Sequence, residues 1–248
     1  MLLMSDAARR AKPDMSKSLN TGTETIALSK SEKLLGGFIS QNLKFKEHIQ
    51  DNENSMFKIL NKRVGALKKV SKTASFKTRK MIANGVILSR LIYLIPLWSG
   101  CESYLLNSLQ IIQNKAARVV TKCGKRTSIK SLLAQCGWMS VAQLSMYHSL
   151  VLVYKILATK SPAYLYSKLS VIPGISYYKT RFSQNQMNNH NINLGPDSQA
   201  EGDLANRSFK YRASRQWNNL PVKIREAENV NVFKEKLKTW VAENVPIK

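Results

Sequence analysis

The sequence predicts a mainly α protein, a helical body and a helical tail, with a short two-strand remnant near residues 23–40. Three observations carry that expectation. Apolar residues recur at helical spacing, as in Phe57, Leu60, Val64 and Leu67 at i, i+3, i+7 and i+10. Helix start and stop residues bracket such runs: Ser140 and Gln143 make a capping-box pattern, and Gly137 follows Cys136. Strand-like patterning is confined to TETIAL, Thr23 to Leu28, and KLLGGFIS, Lys33 to Ser40. A hydrophobic fraction of 44% over 248 residues is ample for a core.

Residues 1–22 are polar, broken by Lys12-Pro13 and Gly22, and are expected to be a disordered lead-in. Next, 23–43 holds TETIAL, the polar turn SKSE and KLLGGFIS, expected as two short strands or a loose hairpin. Gly36-Gly37 inside an apolar run marks a bulge or a close backbone approach. A helical body spans 44–170. Its first helix carries the Phe57–Leu67 stripe, with Lys58, Lys62, Lys68, Lys69 and Lys72 elsewhere on the cylinder. Ser75 is placed to cap a second helix running to Trp98. The apolar stretch Val86 to Trp98 covers 13 residues and contains Arg90 and Pro96. That is short of the roughly 20 residues a bilayer requires, so it is read as a buried helix rather than an anchor.

Leu105, Leu109, Ile112, Ala116 and Val119 mark a third helix ending near Gly124. Thr127 or Ser128 opens a short helix to Cys136, and Ser140 opens the apolar run Val141 to Leu157. Ser161-Pro162 opens PAYLYSKL as an N-cap followed by proline at the first helical position. Residues 171–206, rich in Asn, Ser, Gln and Gly, are expected to be a polar linker. The C-terminal segment 207–248 holds two helices, RSFKYRASRQWNNLP stopped by Pro221 and VFKEKLKTWVAENV after Asn231. On the former, Phe209, Ala213, Trp217 and Leu220 fall within a stripe of roughly 80°. Phe209 and Trp217 are therefore expected in the core rather than as base-stacking platforms, with the basic side chains facing outward.

Charge narrows function more than fold does. The net charge of +24 and pI near 10.1 call for a polyanionic partner: nucleic acid first, an anionic membrane surface second. From 54 to 196 the chain carries 21 Lys and Arg against one acid, Glu102. That region cannot supply the carboxylates that hold paired magnesium ions or act as acid–base pairs. The phosphate-cradling glycine loops, the H-E-x-x-H zinc motif and the G-x-S-x-G elbow are absent from the sequence. Cys101, Cys123 and Cys136 show no C-x-x-C spacing and only three histidines accompany them, so no zinc site and no disulfide is expected. Free buried thiols fit a reducing compartment, cytoplasmic or nuclear. Cys136 with His148 could form a nucleophile pair by composition, but a buried thiol and a satisfied surface histidine account for both. The strongest direct signal is Lys58 to Arg90, with ten basic residues and no acid. A single-sign surface needs a partner that brings the negative charge, and backbone contact to nucleic acid is the expected use.

Several stretches in order, KLLGGFISQNLKFKEHI, KRVGALKKVS, FKTRKMIANGVILSRLIYLIPLW, LQIIQNKAARVVTKCGKRTSIKSLLAQCGWMSVAQL, VYKILATKSPAYL and RSFKYRASRQWNNLPVKIREAENVNVFKEKLKTWV, resemble the C-terminal part of non-LTR (LINE-like) retrotransposon reverse transcriptases. The resemblance spans about residues 23–247 and implies the end of the palm, the thumb and the post-polymerase segment. It implies that Leu35, Gly36 and Gly37 correspond to the primer grip. It also implies that Lys62, Arg63, Lys68, Lys69, Lys72, Lys77, Arg79 and Lys80 correspond to thumb residues holding template and primer by their backbones. The family's aromatic-x-Asp-Asp signature is absent, so the magnesium its members use has no ligands here and no cofactor is expected. What the resemblance implies is a truncated retroelement product without polymerase activity by itself, its fingers and most of its palm upstream of residue 1. Its expected partners are RNA, DNA or the remaining polymerase domains, with no membrane. The alternative is a helical structural remnant that packs on those missing domains.

Overall fold

A computed structural model describes residues 18–20, 22, 25–27, 29–169, 192 and 207–247. Among them the chain is mainly helical, with strand only at its N-terminal side. That side departs from expectation in how the strands pair. β1 (Ser18–Asn20) pairs antiparallel with β2 (Thr25–Ala27), so the end of the expected lead-in is strand. Among the described residues KLLGGFIS does not pair with TETIAL. It folds on itself as β3 (Ser31–Leu34) and β4 (Gly37–Ser40), with Leu34 opposite Gly37. The turn between them is Leu35-Gly36, with φ of 48° and 79°. Two consecutive positive φ values make a two-residue turn whose twist matches that of the flanking strands. Gly36 thus serves a turn rather than a bulge. Gly37 serves a close approach, because a Cβ there would lie 3.0 Å from Leu94 Cδ1.

After a π-helical turn, Glu47–Asp51, the helices begin. In α1 (Met56–Val70), Met56, Leu60, Val64 and Leu67 are buried on one stripe, and Ser55 caps the first turn by accepting from Lys58 N. Ser75 caps α2 (Phe76–Ala83) in the same way through Thr78 N. The run to Trp98 is not one helix. It passes through a π-helical segment, Asn84–Leu88, into α3 (Ser89–Ile92), breaks at Tyr93-Leu94, and resumes as α4 (Ile95–Trp98). Pro96 is the physical reason: its ring has no N–H and collides with the carbonyl four residues back, which ends α3 at Ile92. Leu94 takes the left-handed conformation at the break, φ 55°.

α5 (Ser103–Thr121) buries Leu105, Leu109, Ile112, Ala116 and Val120, and stops at Lys122, φ 58°, two residues before Gly124. α6 (Ile129–Cys136) lies between a Ser128 cap and a left-handed Gly137. α7 (Val141–Thr159) starts on a complete capping box of Ser140 and Gln143. α8 (Ala163–Leu169) follows Pro162, whose carbonyl accepts from Leu165 N and Tyr166 N, one position earlier in the motif than expected. The expected linker lies outside the described residues except for Ile192. That residue is buried and exchanges two 2.9 Å hydrogen bonds with the Asn218 side chain. The C-terminal elements are α9 (Phe209–Asn218), the short α10 (Val222–Arg225) and α11 (Val230–Asn244), the last starting one residue before Asn231 on an Asn229 cap.

The core divides inside α7, not at the linker. A first cluster gathers α1 to α6 with Val141 and Leu144; a second gathers Leu150, Val153 and Ile156 with Trp217, Leu220, Phe233, Leu237 and Val241. α7 is long and apolar enough to cross a membrane by length and composition, and its apolar residues are spent on both clusters. Trp217 is 2% exposed and packs near Phe233, while Phe209 is partly buried against the same cluster. The basic residues of α9 do not all face outward. Arg212 donates to Ser99 Oγ at 3.0 Å and to the Pro96 carbonyl at 2.8 Å, which ties α9 to the α4 corner of the first cluster. Burial pushes its guanidinium down to about 10, still charged at neutral pH.

Candidate nucleic-acid interface

The basic run of the sequence lands on α1, the turn after it and α2. Lys62, Lys68, Lys69, Lys72 and Lys77 are all exposed, on the side of the helices away from the Met56–Leu67 stripe. Among the described residues no carboxylate pairs with a cation of α1 or α2. The ion pairs there, Lys44–Glu102 at 3.6 Å, Lys46–Asp51 at 3.1 Å and Arg207–Glu102 at 3.9 Å, lie elsewhere. Lysines held out in solvent without a counter-charge suit a partner bearing regularly spaced phosphates, and they read no base.

Three of the predicted residues are placed differently. Arg79 is 6% exposed, and its guanidinium donates to the Val120 carbonyl at 2.8 Å and the Ala74 carbonyl at 2.6 Å. The last turn of α5 leaves carbonyls without helical partners, and an internal arginine satisfies one of them. Arg79 is therefore a structural pin and not a phosphate contact. Arg63 is half-buried, with one nitrogen committed to the Val86 carbonyl. It edges a shallow groove of about 310 Å³ floored by Leu67, Val70, Ile82 and Val86. Lys80 is half-buried, its ammonium 3.5 Å from where a Cβ on Gly137 would sit.

Leu35, Gly36 and Gly37 lie together at the tip of the β3–β4 hairpin. Leu35 is 78% exposed, and its carbonyl accepts from Tyr93 Oη at 2.6 Å. At the base of the same hairpin the Ser31 hydroxyl donates to the Glu47 carboxylate, and next to the tip Phe38 N donates to His48 Nδ1 at 3.5 Å. Because Nδ1 accepts, His48 is neutral there; burial foremost, and then the Arg90 cation, lower it to about 4. The tip thus rests on the α3–α4 break while its side chain Leu35 projects into solvent.

Among the described residues no catalytic arrangement forms around the thiols. Cys136 is buried in the first cluster, where burial pushes its thiol up to about 11, far from a ready nucleophile. Cys101 is pushed up to about 12 for the same reason. His148 packs edge-on to Tyr147 and is lowered by burial and by Lys234. Among the described residues no three His, Cys, Asp or Glu come together to hold a metal ion.

Sequence reasoning missed a second group of exposed cations, Lys122, Lys125, Arg126 and Lys130, on the α5–α6 connection. Its signal was present, since the stretch between Glu102 and Asp197 holds no acid, but no helical period ties these residues to α1 and α2. In comparisons with protein-family models, curated proteins and solved structures, nothing matches this chain.

Proposed function

We propose that the chain is a non-catalytic module of reverse-transcriptase descent that binds the backbone of RNA or DNA without reading sequence. The observation that carries this reading is that Lys62, Lys68, Lys69, Lys72 and Lys77, on α1, the following turn and α2, are exposed and, among the described residues, have no acidic partner. The resemblance of the sequence to the thumb of non-LTR retrotransposon polymerases supports the same assignment. Changing Lys62, Lys68, Lys69, Lys72 and Lys77 together to Gln removes five charges without touching a buried residue. Fluorescence anisotropy with a labelled DNA duplex should show weaker binding by the variant at every salt concentration. Equal affinity of the two proteins would reject the assignment.

A second reading rests on the hairpin tip. Leu34 at 58% and Leu35 at 78% exposure, beside the half-exposed Tyr93, form an apolar spot of the kind that packs against another domain. A protein of this descent would use it to dock on palm or fingers. Sedimentation velocity separates the readings: self-association relieved by Leu34→Ser and Leu35→Asn supports docking, and a monodisperse monomer counts against it.

A further inference from the structure

We infer that the α5–α6 connection is a second nucleic-acid backbone contact, continuous with the lysines of α1 and α2, so that the bound strand crosses the seam between them. This rests on the function proposed above and extends it to residues outside the thumb-like helices.

The Arg79 guanidinium shows that the two groups adjoin. One planar group reaches both the Ala74 carbonyl, 2.6 Å away, and the Val120 carbonyl, 2.8 Å away. The α1–α2 turn and the end of α5 are therefore separated by the width of a single guanidinium. Lys72 and Lys77 lie two and three residues from Ala74, and Lys122 lies two residues from Val120. The Lys80 ammonium lies 3.5 Å from where a Cβ on Gly137 would sit, so α2 also lies beside the far end of α6. Around that seam Lys72, Lys77, Lys122, Lys125, Arg126 and Lys130 are all exposed, and among the described residues none has a carboxylate partner.

A plain alternative explains part of this. Cations near a helix C-terminus complement its dipole, and Lys122 ends α5. That effect fades within the last turn, so it covers Lys122 and not Lys125, Arg126 or Lys130. Keeping that many like charges together on one surface is unfavourable unless a polyanion offsets them. The chemistry is backbone recognition: lysines acting as point charges toward phosphate, joined by the Arg126 guanidinium, which suits phosphate oxygens.

The test compares two variants of the full chain with the wild type. One carries Lys122→Gln, Lys125→Gln, Arg126→Gln and Lys130→Gln. The other carries Lys155→Gln, Lys160→Gln, Lys168→Gln and Lys238→Gln, exposed cations on the α7, α8 and α11 side, and so loses the same charge elsewhere. Affinity for a labelled DNA duplex is measured against salt, and the slope of log affinity on log salt falls by about 0.9 for each phosphate that is no longer neutralised. The seam variant should lower the slope by roughly two to four, and the control by less than one. Acetylation of the wild type, read by mass spectrometry, should show Lys122, Lys125 and Lys130 protected by the duplex. Equal slopes for seam and control variants, or no protection, would overturn the inference while leaving binding through α1 and α2 intact. A wild type that does not bind duplex would overturn both.

Discussion

Arg79→Ala separates folding from binding at the most buried residue of the basic run. In the structure its guanidinium makes two hydrogen bonds to carbonyls, on Val120 and Ala74, and almost none of it meets solvent. Bonds from a charged donor are worth about 1.5 kcal/mol each at the low end, so their loss costs about 3 kcal/mol. The Val120 carbonyl, left buried and unpaired, keeps the cost from being recovered by relaxation. For a chain of this size that loss lowers the melting temperature by about 10 °C. Urea and thermal unfolding followed by circular dichroism measure it directly. In the same protein below its transition, the salt dependence of duplex binding should be unchanged, because the lost charge never faced the ligand. An Arg79→Ala variant that melts with the wild type, yet loses about one unit of salt slope, would refute the placement of this side chain.

Three further outcomes follow from particular contacts. His48 is neutral and buried with its folded value lowered to about 4, against 6.5 when unfolded. Its contribution is therefore complete above 6.5 and lost as pH falls toward 4, amounting to about 2 kcal/mol at pH near 5. Urea midpoints should fall over that range in the wild type and fall less in His48→Asn, where the half-buried His148 still titrates. Gly100→Ala places a Cβ against the Arg207 carbonyl and 2.8 Å from Arg212 Nε, where backbone cannot yield, and should cost about 2 to 3 kcal/mol in the same unfolding assay. Leu35→Asn puts a residue that tolerates positive φ ahead of Gly36 in the β3–β4 turn. It should raise stability by about 0.5 to 1 kcal/mol, and a lower melting temperature would show that the turn is not formed.

What could be read from the sequence was local. Ser75, Ser128 with Gly137, and Ser140 with Gln143 were legible because a cap acts on backbone within three or four residues of itself. Leu60, Val64 and Leu67 of the α1 stripe were legible because one helix face meets one core, while Met56, rather than the partly buried Phe57, heads that stripe. Strand pairing was not, since TETIAL and KLLGGFIS carry no register signal that prefers each other over Ser18–Asn20 and a self-paired hairpin. Arg79 and Arg212 were misassigned for a shared reason. Each turns inward to carbonyls 41 and 116 residues away in sequence, and an arginine that serves a distant carbonyl looks in sequence like any surface cation. The seam between the two basic groups was hidden for the same cause, because the Arg79 contact joins Ala74 and Val120 across 46 residues of sequence. The division of the core within α7 also escaped, as a continuous apolar helix gives no sign of where one set of neighbours ends and the next begins.

The central claim is that unpaired lysines on the α1–α2 surface hold a polyphosphate backbone. The most direct test is the slope of log affinity against log salt for the wild-type chain on a DNA duplex. Lys62, Lys68, Lys69, Lys72 and Lys77, each neutralising one phosphate, predict a slope of about −4.5, and engagement of the α5–α6 group as well takes it to about −8. A slope near zero, or no binding even at low salt, would contradict the account.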